Sequence, residues 1–488
     1  MPKVLANLEP KTVWDLFEQI SEVSRPSKKE EKIRAWIRHW AMDRGIEFKE
    51  DSVGNILLSV PANEGCEDFP TLILQAHMDM VCQKVPESPH NFEKDPIPLK
   101  IEEDSMGSYV TADGTTLGAD NGIGMAMGLA AITMPGLKHG PLEVLLTVDE
   151  ETGMTGAFTL KRSFFSGKYL LNLDVEDFGE ITISAAGGGE TTFSVPITKK
   201  QYEGYETIKL EIGGLIGGHS GLDIHQPRSN ALKVLVDGLM AVREDVPIAL
   251  ADISGGTVHN AIPRDANATF LFPKSELDKT VKALIDWKDS ALSAKQEDDR
   301  DLKIKFEEAV STAGLRFEET DSVLNLLSAI PHGAESFSPE VEDLVETSNN
   351  LAVVTTQTDC IEIVCSTRSA IDSELSRIRN GLKELGESHT ALVTLAPSYP
   401  GWKPDLSTRF LKFVHKKYEE VFGKEVKKTA VHAGLECGLF TRLDPELQIV
   451  SIGPEIKGAH SPQERVYIKT VEVIWEVVVK IIESMNDI

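Results

Sequence analysis

The chain has 488 residues, more than one ordinary hydrophobic core accommodates, so at least two domains are expected. Its 77 acidic and 50 basic side chains leave a formal net charge of −27, a field that repels nucleic acid and anionic membrane. No apolar run approaches the roughly 20 residues of a membrane span. Five cysteines without a CxxC or ladder spacing, and an N-terminus without a signal-peptide pattern, point to a reduced, cytoplasmic protein.

The first 50 residues read as helices, with "SKKE" at Ser27–Glu30 predicting a capping box and Ile33, Trp36, Ile37 and Trp40 recurring on one face. "GNILLSV" and "TLILQAHMD" follow as short strands bounded by turn residues. "GIGMAMGLAAI" after Asp120 reads as a buried helix whose small residues permit close packing. "LEVLLTV" and "YLLNLD" are two further strands. Strands alternating with helices predict an α/β fold: a mixed, largely parallel sheet sandwiched by helices.

The character changes at "SAAGGGE", whose three glycines suggest a hinge, and again at "APSYPGWKPD". Between them lie the alternating strands "TTFSVPI" and "TIKLEIGGL" and the helices "PRSNALKVLVDGLMAV" and "SELDKTVKALIDWKDSALSAK". The expected organisation is therefore 1–187 as the first part of the main domain, 188–397 as an inserted smaller α+β domain, and 398–488 as the second part. Two helices, "LSTRFLKFVHKKYEEVFG" and "VEVIWEVVVKIIESM", are expected in that last part.

Ligands of an α/β sheet gather at the carboxyl ends of its strands, and that is where the chemistry-bearing residues fall. His77 and Asp79 stand two apart and face the same side of an extended chain, an arrangement in which a carboxylate can orient a metal-binding imidazole. Asp120 precedes a glycine-rich helix. "DEETG" places Asp149, Glu150 and Glu151 directly after an apolar run, Asp174 closes another such run, and His460 lies far along in "GAHSPQERV". Singly, these have ordinary explanations: a surface pair, an N-cap, a loop histidine. Together, two imidazoles and three carboxylates form a mixed N/O set that suits zinc, manganese or cobalt better than calcium or magnesium. Five ligands exceed what one open catalytic zinc takes and fit two ions sharing a carboxylate.

The segments "HMD", "GADNG", "DEETG", "NLD" and "GAHSPQE" resemble, in order and approximate spacing, the dinuclear-zinc exopeptidase family that includes aminoacylases, carnosinases and glutamate-type carboxypeptidases. "GGHSG", "HNAIPR" and "HAGLECG" look like the branch of that family that cleaves Xaa-His dipeptides, β-Ala-His among them. The resemblance covers essentially the whole chain. It implies two divalent ions per subunit, one held by His77 and Asp174, the other by Glu151 and His460, with Asp120 bridging them and a cis peptide bond after it. It further implies Glu150 as general base, Asp79 as the orienting partner of His77, and His219 reaching the active site of a partner subunit. Asn260 and Arg368 would hold the substrate's terminal carboxylate, and Gly434 would let backbone approach the substrate. The inserted domain becomes a lid that makes a homodimer. Asp149 is left with a supporting hydrogen-bond role, and His225, His259, His432 and Cys437 with structural ones. Three other readings stand beside this: an N-acyl-amino-acid deacylase or tripeptidase with the same metal centre, a metal-binding protein without catalysis, and a cysteine hydrolase built on Cys82 or Cys437.

Overall fold

β-Strands buried at every position demand a cover on both faces, whereas strands that alternate demand only one. Both kinds are present, and they separate the molecule. The computed structural model describes residues 3–488 except 296, 298, 340 and 342. Its chain divides into one unit of Met1–Ser184, Pro404–Ala430 and Leu435–Ile488 and a second of Ala185–Lys403 and Val431–Gly434. The boundaries expected at 187/188 and 397/398 differ slightly from these, and the assignment of Val431–Gly434 to the second unit had no counterpart in the sequence.

In the first unit, helices α1 (Lys11–Ser21) and α2 (Glu31–Arg44) lead into β1 (Glu47–Glu50), β2 (Ile56–Val60) and β3 (Leu72–His77). A hairpin of β4 (Leu99–Asp104) and β5 (Gly107–Ala112) precedes α3 (Ala119–Ala131) and β6 (Leu142–Thr147). Two short helical segments, α4 (Glu150–Gly153) and α5 (Thr155–Thr159), then lead to β7 (Tyr169–Asn172) and β8 (Glu180–Ala185). The returning chain adds α6 (Arg409–Phe422), β9 (Lys427–Val431), α7 (Glu436–Leu443) and β10 (Gln448–Ser451). It closes with β11 (Ile456–Lys457), β12 (Arg465–Tyr467) and α8 (Ile468–Glu483).

The central sheet runs β1-β2-β6-β3-β7-β10-β8-β9. Its middle pairs, β6–β3, β3–β7 and β7–β10, are parallel. Its flanking pairs β1–β2, β2–β6 and β10–β8 are antiparallel. β3 and β6 are buried at all six positions, as strands covered on both faces must be. Helix α3 packs on β3 with α1 against it. A Cβ at Gly128 would lie 2.9 Å from Val144 Cγ1, so the small residues of α3 do set a close helix–sheet approach. The capping box expected at Ser27–Glu30 is not formed. Glu30 instead accepts N–H bonds from Lys28 (2.8 Å) and from Asp149 (3.1 Å), because its carboxylate is needed by a strand end rather than by its own helix.

The second unit is an antiparallel sheet built from strands such as Tyr205–Gly213, Ala266–Pro273, Ala249–Gly255, Val345–Thr356, Cys360–Ser369 and Gly187–Pro196. Buried and less buried positions alternate along Tyr205–Gly213 and Gly187–Pro196. The buried side chains join those of helices Ala231–Arg243, Phe317–Ala329 and Asp372–Ser388 in one hydrophobic core. The three glycines expected to act as a hinge lie in a paired strand. A Cβ at Gly187 would lie 2.4 Å from Gly401 N and one at Gly188 2.5 Å from Tyr399 Oη, so they serve the close approach of the returning segment.

Candidate metal centre

The carboxyl ends of the parallel strands bring five of the candidate side chains of the first unit together. His77 ends β3, Asp174 follows β7, Glu150 and Glu151 open α4 directly after β6, and Asp120 lies in the first turn of α3. His460 comes from the loop between β11 and β12 and has a positive φ of 62°. The Asp120–Asn121 peptide bond is cis.

Asp120 is central. Its Oδ1 lies 3.0 Å from His77 Nε2 and its Oδ2 lies 3.2 Å from His460 Nε2. His77 Nε2 is also 3.4 Å from Asp174 Oδ1, and His460 Nε2 is 3.0 Å from Glu151 Oε2. Each imidazole thus faces Asp120 and one further carboxylate. Ligand atoms of His77, Asp120 and Glu151 lie within 4.8 Å of one another, close enough to hold a metal ion. Among the described residues the buried Glu151 Oε1 has no hydrogen-bond partner, which leaves its lone pairs for a cation. The donor set of two imidazoles and three carboxylates fits divalent transition ions.

Electrostatics gives the same reading. Burial alone would lower the pKa of His77, yet Asp174, Asp120 and Asp79 hold it well above the usual histidine value. Hydrogen bonds to Asp120 and Glu151 push His460 up to about 11. Burial works to raise Asp120, but His460 and His77 keep it far below an ordinary carboxyl. Asp174 is pushed up to about 6 by burial, with Asp120 and Glu151 adding to it.

Asp79 and Asp149 are neighbours in space with different tasks. Asp79 Oδ1 is 3.4 Å from His77 Nδ1, and its two oxygens accept the N–H groups of Glu150 (3.0 Å) and Glu151 (3.2 Å). One carboxylate therefore touches His77 and fixes the turn that presents both glutamates. Asp149 precedes them with φ 53°, and its carboxylate accepts the hydroxyls of Thr152 and Thr155, which tightens the same turn. Glu150 carries a proton affinity raised well above the usual carboxyl range, by burial first and then by Asp174, Glu436 and Glu151.

Beneath these groups runs a buried polar row. Ser451 Oγ donates to Asn172 Oδ1, Asn172 Nδ2 to Gln75 Oε1 (2.5 Å), and Gln75 Nε2 to Glu436 Oε2 (2.7 Å). Thr147 Oγ1 donates to the same Glu436 oxygen at 2.7 Å. Gln75 and Asn172 are paired in register and sit two residues before His77 and Asp174, on the same side of their strands. Three further contacts had no signal strong enough to be read from the sequence. Asn121 Nδ2 donates to Asp174 Oδ1, and both Arg25 and Glu464 bond the backbone around Asp120.

The remaining candidates lie in the second unit. His219 pairs with Ala261 in a two-residue ladder, and Ser220 N–H donates to Asn260 O at 2.8 Å. His219 Nδ1 accepts the N–H groups of Gly221 (3.2 Å) and Leu222 (3.0 Å), so the ring proton resides on Nε2. Burial, with Arg368 and His259 adding to it, pushes His219 down to about 4. Arg368 is buried on its strand; Nη1 donates to Tyr399 Oη (3.2 Å), while Nε has no partner among the described residues. Asn260 is exposed, and Gly434 closes the Val431–Gly434 segment. That segment is held by His432 Nε2, 2.7 Å from Ser348 Oγ. Cys437 is buried and its thiol is pushed well up by burial, the opposite of what a thiolate nucleophile requires.

The family model "Peptidase family M20/M25/M40" matches residues 73–484. The cytosol non-specific dipeptidase of Escherichia coli is 40% identical over 99% of both chains. The crystal structure of an aminoacylhistidine dipeptidase from Vibrio alginolyticus superposes with a TM-score of 0.89 at 38% identity, covering 98% of each chain. The aminopeptidase PepT of Bacillus cereus shares the fold, with a TM-score of 0.59 at 16% identity over 98% of this chain and 99% of that one.

Proposed function

The chain belongs to the M20/M25/M40 peptidase family, and from that premise we propose that it is a cytoplasmic, metal-dependent dipeptidase. Its substrates are unblocked dipeptides, with Xaa-His and β-Ala-His among them. The observation that carries this is Asp120, whose two oxygens each face a different imidazole. One carboxylate shared between two N/O half-sites is what a pair of divalent ions requires. His77 and Asp174 would hold one ion, Glu151 and His460 the other, and Asp120 both. Zinc fits the donors best, with manganese or cobalt as alternatives. The names of the Escherichia coli and Vibrio relatives support dipeptides as substrates, and that of the former supports the compartment.

Two divalent ions held by these residues would supply an acidified water and polarise the scissile carbonyl. The side chains do the rest. Glu150 opens α4 beside Glu151 and is assigned to neither ion, so in this reading it takes the proton of the attacking water and returns it to the leaving amine. Asp79 keeps His77 in the orientation that presents Nε2. In the second unit, His219 offers a neutral Nε2–H to the carbonyl oxygen, and Arg368 offers a fork to the terminal carboxylate, with Asn260 and Gly434 completing that pocket. The second unit acts as a lid and forms a homodimer, so that His219 serves the partner subunit.

The test is metal removal followed by separate restoration of zinc, manganese and cobalt. Hydrolysis of β-Ala-His, other Xaa-His dipeptides, a tripeptide and an N-acetyl amino acid is then compared. Metal-dependent cleavage of the dipeptides is expected. Cleavage of the N-acetyl compound alone would assign a deacylase instead, and no metal-dependent cleavage would assign a binding protein.

A further inference from the structure

Two buried charges of the first unit take no part in the chemistry just described. Arg25 and Glu464 are each 2% exposed, and both direct their hydrogen bonds to backbone. Glu464 Oε2 accepts the N–H groups of Leu117 (2.7 Å) and Gly118 (2.9 Å). Its Oε1 accepts those of Ala119 (2.7 Å) and Asp120 (3.3 Å). Four consecutive amides thus converge on one carboxylate, an arrangement that fixes a turn as firmly as a bound anion would. Arg25 holds the same turn by its carbonyl, through Nη2 to Gly118 O. Its Nη1 reaches Met78 O (3.2 Å) and Asp79 O (2.8 Å). A Cβ would lie 2.5 Å from Arg25 Nη2 at Gly118 and 2.7 Å from it at Gly122, so glycine at both positions makes room for the guanidinium.

These bonds join three stretches that are far apart in sequence, and each stretch carries proposed metal ligands. Glu464 follows His460 in the loop between β11 and β12, and Thr111 Oγ1 anchors its carbonyl at 2.6 Å. The loop presenting His460 and the turn presenting Asp120 therefore share one anchor. Arg25 joins that turn to the segment carrying His77 and Asp79. The geometry points to Arg25 and Glu464 as positioning residues that preset the spacing of the metal centre, Glu464 setting Asp120 against His460 and Arg25 setting Asp120 against His77. This rests on the site being a dinuclear metal centre. Carboxylates crowded around Asp120 repel one another until cations arrive, and a turn pinned at both its amides and its carbonyl cannot open to relieve that repulsion. The ligands are thus arranged before the ions bind, and the cost of ordering them is met in folding.

The two halves of the device have separable effects. In Glu464→Gln one oxygen becomes an NH₂ group facing amide donors, which loosens Asp120 and His460 together. Arg25→Lys keeps the charge but loses the fork that spans three carbonyls. Zinc affinities of the full-length chain, read by competition with a chromophoric chelator, should show two equivalents in the parent protein. Glu464→Gln should weaken the equivalent assigned to Glu151 and His460 by about 10-fold or more and the other by less, since Asp120 serves both, and Arg25→Lys should do the reverse, the range usual for partners of metal ligands. Excess zinc should restore kcat with KM unchanged. Thr111→Val, which removes only the hydroxyl under Glu464, should cause a smaller loss in the same equivalent as Glu464→Gln. Melting temperatures of the metal-free variants separate positioning from general stability, since a merely structural role lowers those and leaves zinc affinity alone. Parental affinity at both equivalents in folded Glu464→Gln and Arg25→Lys would overturn the inference, as would equal weakening of both equivalents by each. If Glu464→Gln does not fold, Thr111→Val and Arg25→Lys decide by the same readout. Dipeptide turnover by the parent protein reads the function and the variants' affinities read the inference, so the two can fail separately.

Discussion

Two histidines at the strand ends and loop of the first unit and three of the second are tuned in opposite directions. In the first unit, His77 and His460 are each held between carboxylates, which raise their proton affinity against or beyond the effect of burial. In the second, His219 is pushed down to about 4, His332 to about 4 and His432 to about 3, by burial with Arg368 or Lys233 adding to it. The residue type is the same and the neighbouring charge decides its state. Imidazoles among carboxylates sit where positive charge is favoured, which suits the ligand role proposed for them. Imidazoles beside arginine or lysine stay neutral across the physiological range and make hydrogen-bond donors or acceptors.

The sharpest test of this contrast is the carboxylate of the first unit that is not assigned to hold an ion. Glu150→Gln keeps the shape of the side chain and removes its charge. We expect kcat to fall by about 10²–10⁴-fold, the usual worth of a general base, with the metal stoichiometry unchanged. Metal analysis alongside steady-state kinetics checks this. Loss of an ion together with activity would make Glu150 a ligand and return the whole acidic turn to metal binding. Near-parental kcat with full metal would remove it from the mechanism.

His219 tests the other half of the contrast. Its Nδ1 is occupied by two backbone N–H groups, so only a neutral ring with a proton on Nε2 fits the turn. His219→Ala should lower kcat by about 10²-fold, the low end for loss of a donor to a developing oxyanion, and change KM much less. Because His219 is neutral above about pH 4, the parent enzyme should show no His219 limb in its kcat profile between pH 5 and 9. A limb near pH 6.5 that disappears in His219→Ala would show that the ring titrates in that range and would sink the neutral-donor reading.

Legibility in the sequence followed how local each feature is. His77 with Asp79 and the "DEETG" turn were readable because one strand end determines each of them, and an apolar run followed by acids is conspicuous. Asp120 and Asp174 were readable as strand-end or helix-start residues, but their grouping with His460 required either the fold or the family resemblance. Arg25 and Glu464 were not readable, although Glu464 stands within a motif that was singled out. Their partners are backbone groups, at separations of 93 residues for Arg25 with Gly118 and 345 for Glu464 with Ala119. Backbone leaves no residue-type signal. The buried row ending at Glu436 was hidden for a related reason. Gln75 and Asn172 interrupt apolar strands singly, and only the register of adjacent strands turns those interruptions into a continuous chain of donors. The glycines at 187–189 misled because a run of glycine marks flexibility and close approach equally, and only the neighbouring segment distinguishes them.

The smallest effect we expect belongs to His332, which no chemistry uses. Its Nδ1 is 3.3 Å from Asn230 Nδ2, and the Asn230 side chain also caps helix Ala231–Arg243. Burial and the nearby Lys233 lower its pKa from an ordinary 6.5 to about 4. The unfolded chain therefore binds a proton more readily than the folded one between those values. The contribution of neutral His332 is complete above about pH 6.5 and is lost progressively as pH falls toward 4. Its size is on the order of 1–3 kcal/mol at the acid end. His332→Asn keeps an acceptor toward Asn230 and removes the titration, so stability near pH 8 should change little. Between pH 6.5 and 4 the variant should lose less stability than the parent, as read by denaturant unfolding of the full chain at a series of pH values. Parallel stability curves across that window would mean that His332 titrates as it does in the unfolded chain, and one of the neutral histidines of the second unit would then leave the comparison.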